Sequence, residues 1–357
     1  MTSPIRGNFM IDILSSLAYL NGSPKSTGKL KAEPIHFQVK EDLGFDFSGE
    51  GEHLMVRVRK TGENTSFVAN ELAKACDVKS KDVSWAGLKD RHAVTEQWLS
   101  VHLPKGGTPD LSSFLAQHAS IEIIETRRHN KKLRPGDLVG NHFNITLTEV
   151  SDVEDVTRRL QSIHQHGAPN YFGSQRFGNQ GNNLDEARRW GRENVRTRNQ
   201  NKRSLYLSAA RSWIFNAIVS NRIKQGLFTQ VIEGDCIQTK EGMVLAETQQ
   251  LLALNERILS GDAAITAAMA GDNDLPTQSE TLMIEQPQLD AEPDLMALIR
   301  GNRMRHERRN IVLKPQNLTW SIEKDSVKLD FSLEAGCFAT SLIRELIQEQ
   351  EVERNYQ

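Results

Sequence analysis

Short runs near the start of the chain alternate with a period of two. Ile35, Phe37 and Val39 alternate with His36 and Gln38. Leu54, Val56 and Val58 alternate with Met55, Arg57 and Arg59, and Phe143, Ile145 and Leu147 with Asn144, Thr146 and Thr148. A period of two predicts half-buried strands of the kind an antiparallel sheet uses. Thr65 to Ala75 reads as a helix between them. A second helix begins at Ser151, where Ser151 and Glu154 form a capping box and Val153, Val156, Leu160 and Ile163 make one apolar stripe. Gly167 and Pro169 end it.

The pattern then changes. From Gly167 to about Leu313, Asn, Arg and Gln are frequent, and helix-like stretches such as Ser208 to Lys224 and Leu251 to Leu259 dominate. Alternation returns at Val327, Leu329, Phe331 and Leu333, followed by a short helix, Thr340 to Gln348. A β pattern that is interrupted and then resumed, in a piece too short to fold alone, predicts an inserted domain. The expected architecture is α+β. Residues 1–166 with 314–357 form a domain around an antiparallel sheet, and residues 167–313 form an inserted second α+β domain.

Composition agrees with an ordinary folded protein: 357 residues, 25% charged and 38% hydrophobic, enough for two domains. Cys76, Cys236 and Cys337 share no short spacing, which argues against a zinc knuckle or a CxxC redox site and fits a reducing cytoplasm. No run is long and apolar enough for a membrane span. Phe9 to Leu20 superficially resembles a signal-peptide core. Asp12, Ser15 and Ser16 interrupt it and only Arg6 precedes it, so it reads as folded structure. His164 and His166 lie two apart and share no helix face, and the other histidines show no ligand spacing, so no metal is expected.

Charge changes the picture more by its distribution than by its sum of −2. Arg188 to Arg211 holds eight Lys or Arg residues against Glu193, and Arg300 to Lys314 holds six against Glu307. Arg127, Arg128, Lys131, Lys132 and Arg134 form a third cluster. Glu233 to Asp294 holds thirteen acids against Lys240 and Arg257. Such segregation predicts one face that meets a polyanion and one that does not.

The chemistry concentrates in Gly87-Leu-Lys-Asp-Arg-His-Ala-Val-Thr-Glu-Gln97, between apolar residues at Val83 to Ala86 and an alternating run at Leu99, Val101 and Leu103. That places Asp90 on a loop between two strands. Gly87 permits a sharp turn. Lys89 and Arg91 favour the ionised carboxylate, the form that attacks or abstracts. On its own a Lys-Asp after Gly is an ordinary turn.

Two further segments supply context: Asn170-Tyr-Phe-Gly-Ser-Gln-Arg-Phe-Gly178, and Ala335-Gly-Cys-Phe-Ala-Thr-Ser341 followed by Arg344 and Glu345. Together with Gly87, Lys89, Asp90, Ala93, Thr95 and Gln97, they resemble, in order and spacing, the three signatures of the TruD family of tRNA pseudouridine synthases. The resemblance spans essentially the whole chain. It implies that Asp90 is the nucleophile and that Phe37, Asn141 and Phe338 contact the target nucleotide. It further implies that tRNA lies between the two domains and that uridine-13 in the D arm is isomerised. The N1–C1′ bond is cut, the uracil turns, and it rejoins through C5. This needs no cofactor, no metal and no protein partner, and the expected enzyme is a cytoplasmic monomer. Read from the residues alone, Phe37 and Phe338 fit core packing at least as well as base stacking, and Asn141 fits a turn after Gly140. Two rival functions remain: a non-catalytic tRNA-binding or tRNA-folding protein, which would not need Asp90, and a metal-dependent RNA hydrolase. The latter needs clustered acids, where the motif offers Asp90 and Glu96.

Overall fold

A computed structural model describes residues 13–105 and 107–352; Phe9 to Asp12 of the apolar N-terminal run lie outside the described residues. The chain divides into two compact units. The first comprises Pro24–Gln165, Lys314–Ala339 and the described part of Leu346–Gln357. The strands of its main sheet are β1 (Phe37–Asp42), β2 (His53–Thr61), β3 (Val83–Trp85), β4 (Val94–His102), β5 (Ile121–His129), β6 (Gly140–Leu147), β7 (Gln316–Glu323) and β8 (Ser326–Glu334), flanked by helices that include α1 (Thr65–Ala75) and α2 (Val153–His166).

The sheet runs β7-β8-β6-β1-β4-β2-β5, and β3 pairs with β4. The expectation of an antiparallel sheet needs one correction, because β1 and β4 run parallel while the other pairs are antiparallel. A parallel pair requires a crossover, and β2, α1 and β3 supply it. One end of the sheet's inner face is apolar: Leu54, Val56, Val58, Leu99 and Val101 pack under Val68, Leu72 and Ala73 of α1. At α2, Ser151 does not cap the helix as expected. Its hydroxyl accepts the Thr27 amide, and Asp152 accepts the Asp155 amide instead.

The second unit comprises the described part of Met1–Ser23 together with His166–Leu313 and Thr340–Glu345. The expected division gave the N-terminal residues and 340–345 to the sheet domain. They cluster with the insertion because Arg344 donates to the carbonyls of Leu14 and Leu17, and Ser341 to that of Tyr171. The closing helix is Ala339–Arg344, shorter than expected. The unit holds a four-stranded antiparallel sheet ordered Gly242–Leu245, Cys236–Thr239, Ala263–Met269, Glu307–Asn310.

The helix Gln200–Lys224 begins eight residues earlier than its apolar pattern indicates, capped by Asn199, whose side chain accepts the Lys202 amide at 3.1 Å. Another close approach depends on Gly191. A Cβ there would lie 1.7 Å from the Asp294 carbonyl oxygen, so only glycine lets helix Asn182–Arg192 meet helix Pro293–Gly301.

Candidate active site

Asp90 lies on the loop joining β3 to β4, on the inner face of the first unit's sheet. One carboxylate oxygen, Oδ1, accepts the His92 amide at 3.0 Å, an Asx-type turn that holds the side chain over its own loop. The other, Oδ2, is hydrogen-bonded by the ammonium of Lys31. Lys31 has a left-handed backbone, φ 58°, which a non-glycine residue adopts at some cost and which recurs where function fixes geometry. Its Nζ also sits 4.2 Å from the centroid of the Phe37 ring. Burial opposes ionisation of Asp90, but the charge and hydrogen bond of Lys31 and the His92 amide outweigh it. The carboxyl is held below its ordinary value. At neutral pH Asp90 is an anion.

A polar network holds the loop from beneath. Lys89 forms a 2.7 Å ion pair with Glu41, and both side chains are almost wholly buried. Glu41 also accepts the Trp98 amide at 3.1 Å. The Thr65 hydroxyl, in the first turn of α1, accepts the Lys89 amide and donates to the Gln97 side chain at 2.8 Å. Gln97 in turn donates to the Gly87 carbonyl at 3.0 Å. Lys60, 0% exposed, donates to the carbonyls of Glu63 and Asp90 at 2.6 and 3.0 Å. Four motif residues, Gly87, Lys89, Asp90 and Gln97, are thus tied together.

The other expected site residues stand as follows. Phe37, only 4% exposed, lies under Lys31 and edge-on to Phe143 at 6.1 Å, with Phe143 stacked on Phe331. In this conformation its face supports the lysine rather than standing open to a base. Asn141 is opposite Glu41 in the β1–β6 register. Its Oδ1 is buried and has no hydrogen-bond partner, so an acceptor is left facing this neighbourhood. Such an atom costs roughly 1–3 kcal/mol unless a donor arrives. Phe338 follows β8, whose Leu333 pairs with Asn141, and is half-buried just ahead of the helix Ala339–Arg344.

Lys31, Lys60 and Glu41 were not found from the sequence. For the last two there was a signal: each continues an apolar alternation, Phe37, Val39, Glu41 and Leu54, Val56, Val58, Lys60, with a charge. A groove of about 800 Å³ lined by Lys40, Arg57, Trp98, Arg127 and His142 among others involves side chains that alternate with those on the Asp90 face. It does not include Asp90.

The basic clusters need correction. In the second unit Arg308 is buried and bidentate to Glu285 at 2.9 Å, and Arg211 is buried against the carbonyls of Ala270, Met269 and Arg305. Arg188, Arg189 and Arg192 pair with acids. Exposed cations remain at Arg196, Arg198, Lys202, Arg300, Arg303 and Arg305. A 3.1 Å bond from Arg196 to the Gly301 carbonyl brings the two cluster segments together.

A family model for tRNA pseudouridine synthase D (TruD) matches residues 14–186 and 182–346. The chain belongs to the TruD family. It is 70% identical over 347 residues to tRNA pseudouridine synthase D of Vibrio campbellii, covering 97% of this chain and 100% of that one. Identity to the protein of the same name from Aliivibrio fischeri is 61%, covering 97% of this chain and 99% of that one. A crystal structure of a TruD protein from Methanosarcina mazei has the same fold, with a TM-score of 0.71 at 22% identity, covering 93% of this chain and 94% of that chain. For this TruD chain, among the described residues, no group of three or more His, Cys, Asp or Glu is placed to hold a metal, and no helix is long and apolar enough to cross a membrane.

Proposed function

We propose that this protein isomerises a uridine in tRNA to pseudouridine, with uridine-13 of the D arm as the target and Asp90 as the nucleophile. The observation that carries the reading is the ionised carboxylate of Asp90, held between the Lys31 ammonium and the His92 amide on a loop anchored from below. A carboxylate has lone pairs left over after these two bonds, so it can still attack a carbon. Lys31 supplies the countercharge that keeps the attacking form populated. The unpartnered Asn141 Oδ1 is suited to a donor on the flipped base. Unstacking that base costs a few kcal/mol, which contacts of this kind offset. The exposed cations around Arg196 and Arg303 are suited to tRNA phosphates, which fix position rather than chemistry.

The test is release of tritium from C5-labelled uridine in tRNA, since formation of the C5 glycosidic bond displaces that hydrogen. The wild-type protein should release it. Asp90→Asn should release none while binding tRNA nearly as well. Near-normal release by Asp90→Asn would remove the aspartate from its role. Tight tRNA binding with no release by the wild type would favour the non-catalytic reading.

A further inference from the structure

Lys60 is a buried charge without an ion-pair partner among the described residues. Its position on β2 continues the inward row of Leu54, Val56 and Val58, and across the sheet it pairs with Thr95 and then Val39. Among the described residues no carboxylate lies within ion-pair distance of it. Its partners are two main-chain carbonyls, Glu63 at 2.6 Å and Asp90 at 3.0 Å. An apolar side chain of similar length would fill the space without the cost of desolvating an ammonium.

What the ammonium adds is a link between two loops. The turn at 62–64, before α1, meets the Asp90 loop at several points. The Gly62 amide donates to the Ala93 carbonyl at 3.3 Å, and the Arg91 guanidinium to the Gly62 carbonyl at 3.2 Å. Of these bonds, only those of Lys60 reach the main chain of Asp90 itself. The residue is therefore held at both ends, its carbonyl by Lys60 and its carboxylate by Lys31.

We infer that Lys60 is a positioning residue for Asp90: its ammonium ties the Asp90 carbonyl to that of Glu63 and sets the direction in which the carboxylate leaves the loop. The inference rests on the reading of Asp90 as nucleophile. Burial pushes the Lys60 ammonium down to about 8; Asp90 and Glu63 pull it up and Lys89 pushes it further down. Charged donors make hydrogen bonds roughly twice as strong as neutral ones. The clamp therefore weakens as pH rises past that point.

The experiment is the single-turnover rate of tritium release, with tRNA affinity measured in parallel, from about pH 6.5 to about pH 9 for wild type, Lys60→Met and Asp90→Asn. The wild-type rate should fall above about pH 8. Lys60→Met should be slower by about tenfold or more at neutral pH, the rate equivalent of one hydrogen bond to a charged group. Its tRNA affinity should stay within about twofold, and its alkaline fall should be gone. Ionisation of the uracil itself is common to both enzymes and cannot produce that difference. A Lys60→Met rate within about twofold of wild type, or the same alkaline fall in both, overturns the inference. If Lys60→Met does not fold, Lys60→Gln, which keeps a donor but no titrating ammonium, is read in its place: a slower rate without the wild-type alkaline fall at constant affinity supports the clamp, and an unchanged rate or an unchanged fall overturns it. An inactive Asp90→Asn beside an unimpaired Lys60→Met sinks the inference alone. An active Asp90→Asn sinks the nucleophile and the clamp together.

Discussion

Replacing Lys31 by Met removes the ammonium from Asp90 and leaves a side chain of similar length over Phe37. The side chains of Lys31 and Asp90 are 7% and 26% exposed, so the pair is largely shielded from water. Removing one partner of a buried pair costs about 3–5 kcal/mol, and the partial exposure of Asp90 places this case near about 3 kcal/mol. In a unit of this size that lowers the melting temperature of the sheet domain by roughly 6–12 °C. The effect on chemistry has a sign that can be worked out. In the wild type Lys31 overcomes burial and holds the carboxyl below its ordinary value. The anion is thus fully present above that ordinary value and lost as pH falls through the lowered one. Without Lys31, burial acts unopposed by the largest favourable charge, and the acid limb of the rate profile moves to higher pH. Loss of a hydrogen bond to a charged group costs about 1.5–3 kcal/mol, or about 10- to 150-fold in rate at neutral pH. Tritium release across acid pH and thermal unfolding monitored by calorimetry measure both effects. A variant with the wild-type acid limb and a melting temperature unchanged within about 2 °C would refute the argument that Lys31 sustains the Asp90 anion.

Charge reversal at the exposed Arg303 should weaken tRNA binding and flatten the plot of log affinity against log salt by a slope of about 0.7–0.9 per lost phosphate contact; an unchanged slope would mean that the patch is solvated surface only. Arg308→Ala should instead strand the buried Glu285 and destabilise the second unit by about 3–5 kcal/mol, read by urea unfolding. Lys60 is lowered from 10.5 to about 8, so the unfolded chain binds the extra proton between these values and wild-type stability should rise with pH across that window. The rise, about 3 kcal/mol at most, should be missing from Lys60→Met and so appear in the wild-type-minus-variant difference curve; an identical pH dependence in both proteins would contradict it.

Most strands of the first unit's sheet were legible because one face is apolar and the other wet, and helix Thr65–Ala75 was legible for the same reason. Ile121–His129 and Gln316–Glu323 were not, because neither buries a regular alternate row. The four-stranded sheet of the insertion was not, because Cys236–Thr239 and Gly242–Leu245 are too short to show a period. Asp90 was found through its motif, and its neighbours were missed because their partners are far away in sequence. The Lys31–Asp90 bond spans 59 residues, and nothing around Leu30 to Pro34 marks the lysine. Yet the site did leave a trace. On three strands polar residues interrupt the inward apolar row: Glu41 after Phe37 and Val39, Lys60 after Val56 and Val58, and Thr95 and Gln97 before Leu99. Strand register stacks these breaks side by side. The cation runs misled because Arg211 and Arg308 serve as internal cross-braces, and sequence does not distinguish a brace from a surface charge.

The order in which the sheet is completed has a consequence for how the chain is made. Strands β1 to β6 are all synthesised before Val150, but the strand that covers the outer side of β6 is β8, which begins only at Ser326. A ribosome working at roughly 5–20 residues per second needs about 10–40 s to bridge that interval. Throughout it, β6 presents an unpaired row of amides and carbonyls together with Phe143 and Ile145. An open, apolar strand edge of this kind recruits other strands. The nascent protein is therefore most prone to aggregate, and most in need of a chaperone, while its insertion is being translated. Ribosomes that stall within residues 167–313 should leave an insoluble product, although six strands of the sheet have already been synthesised.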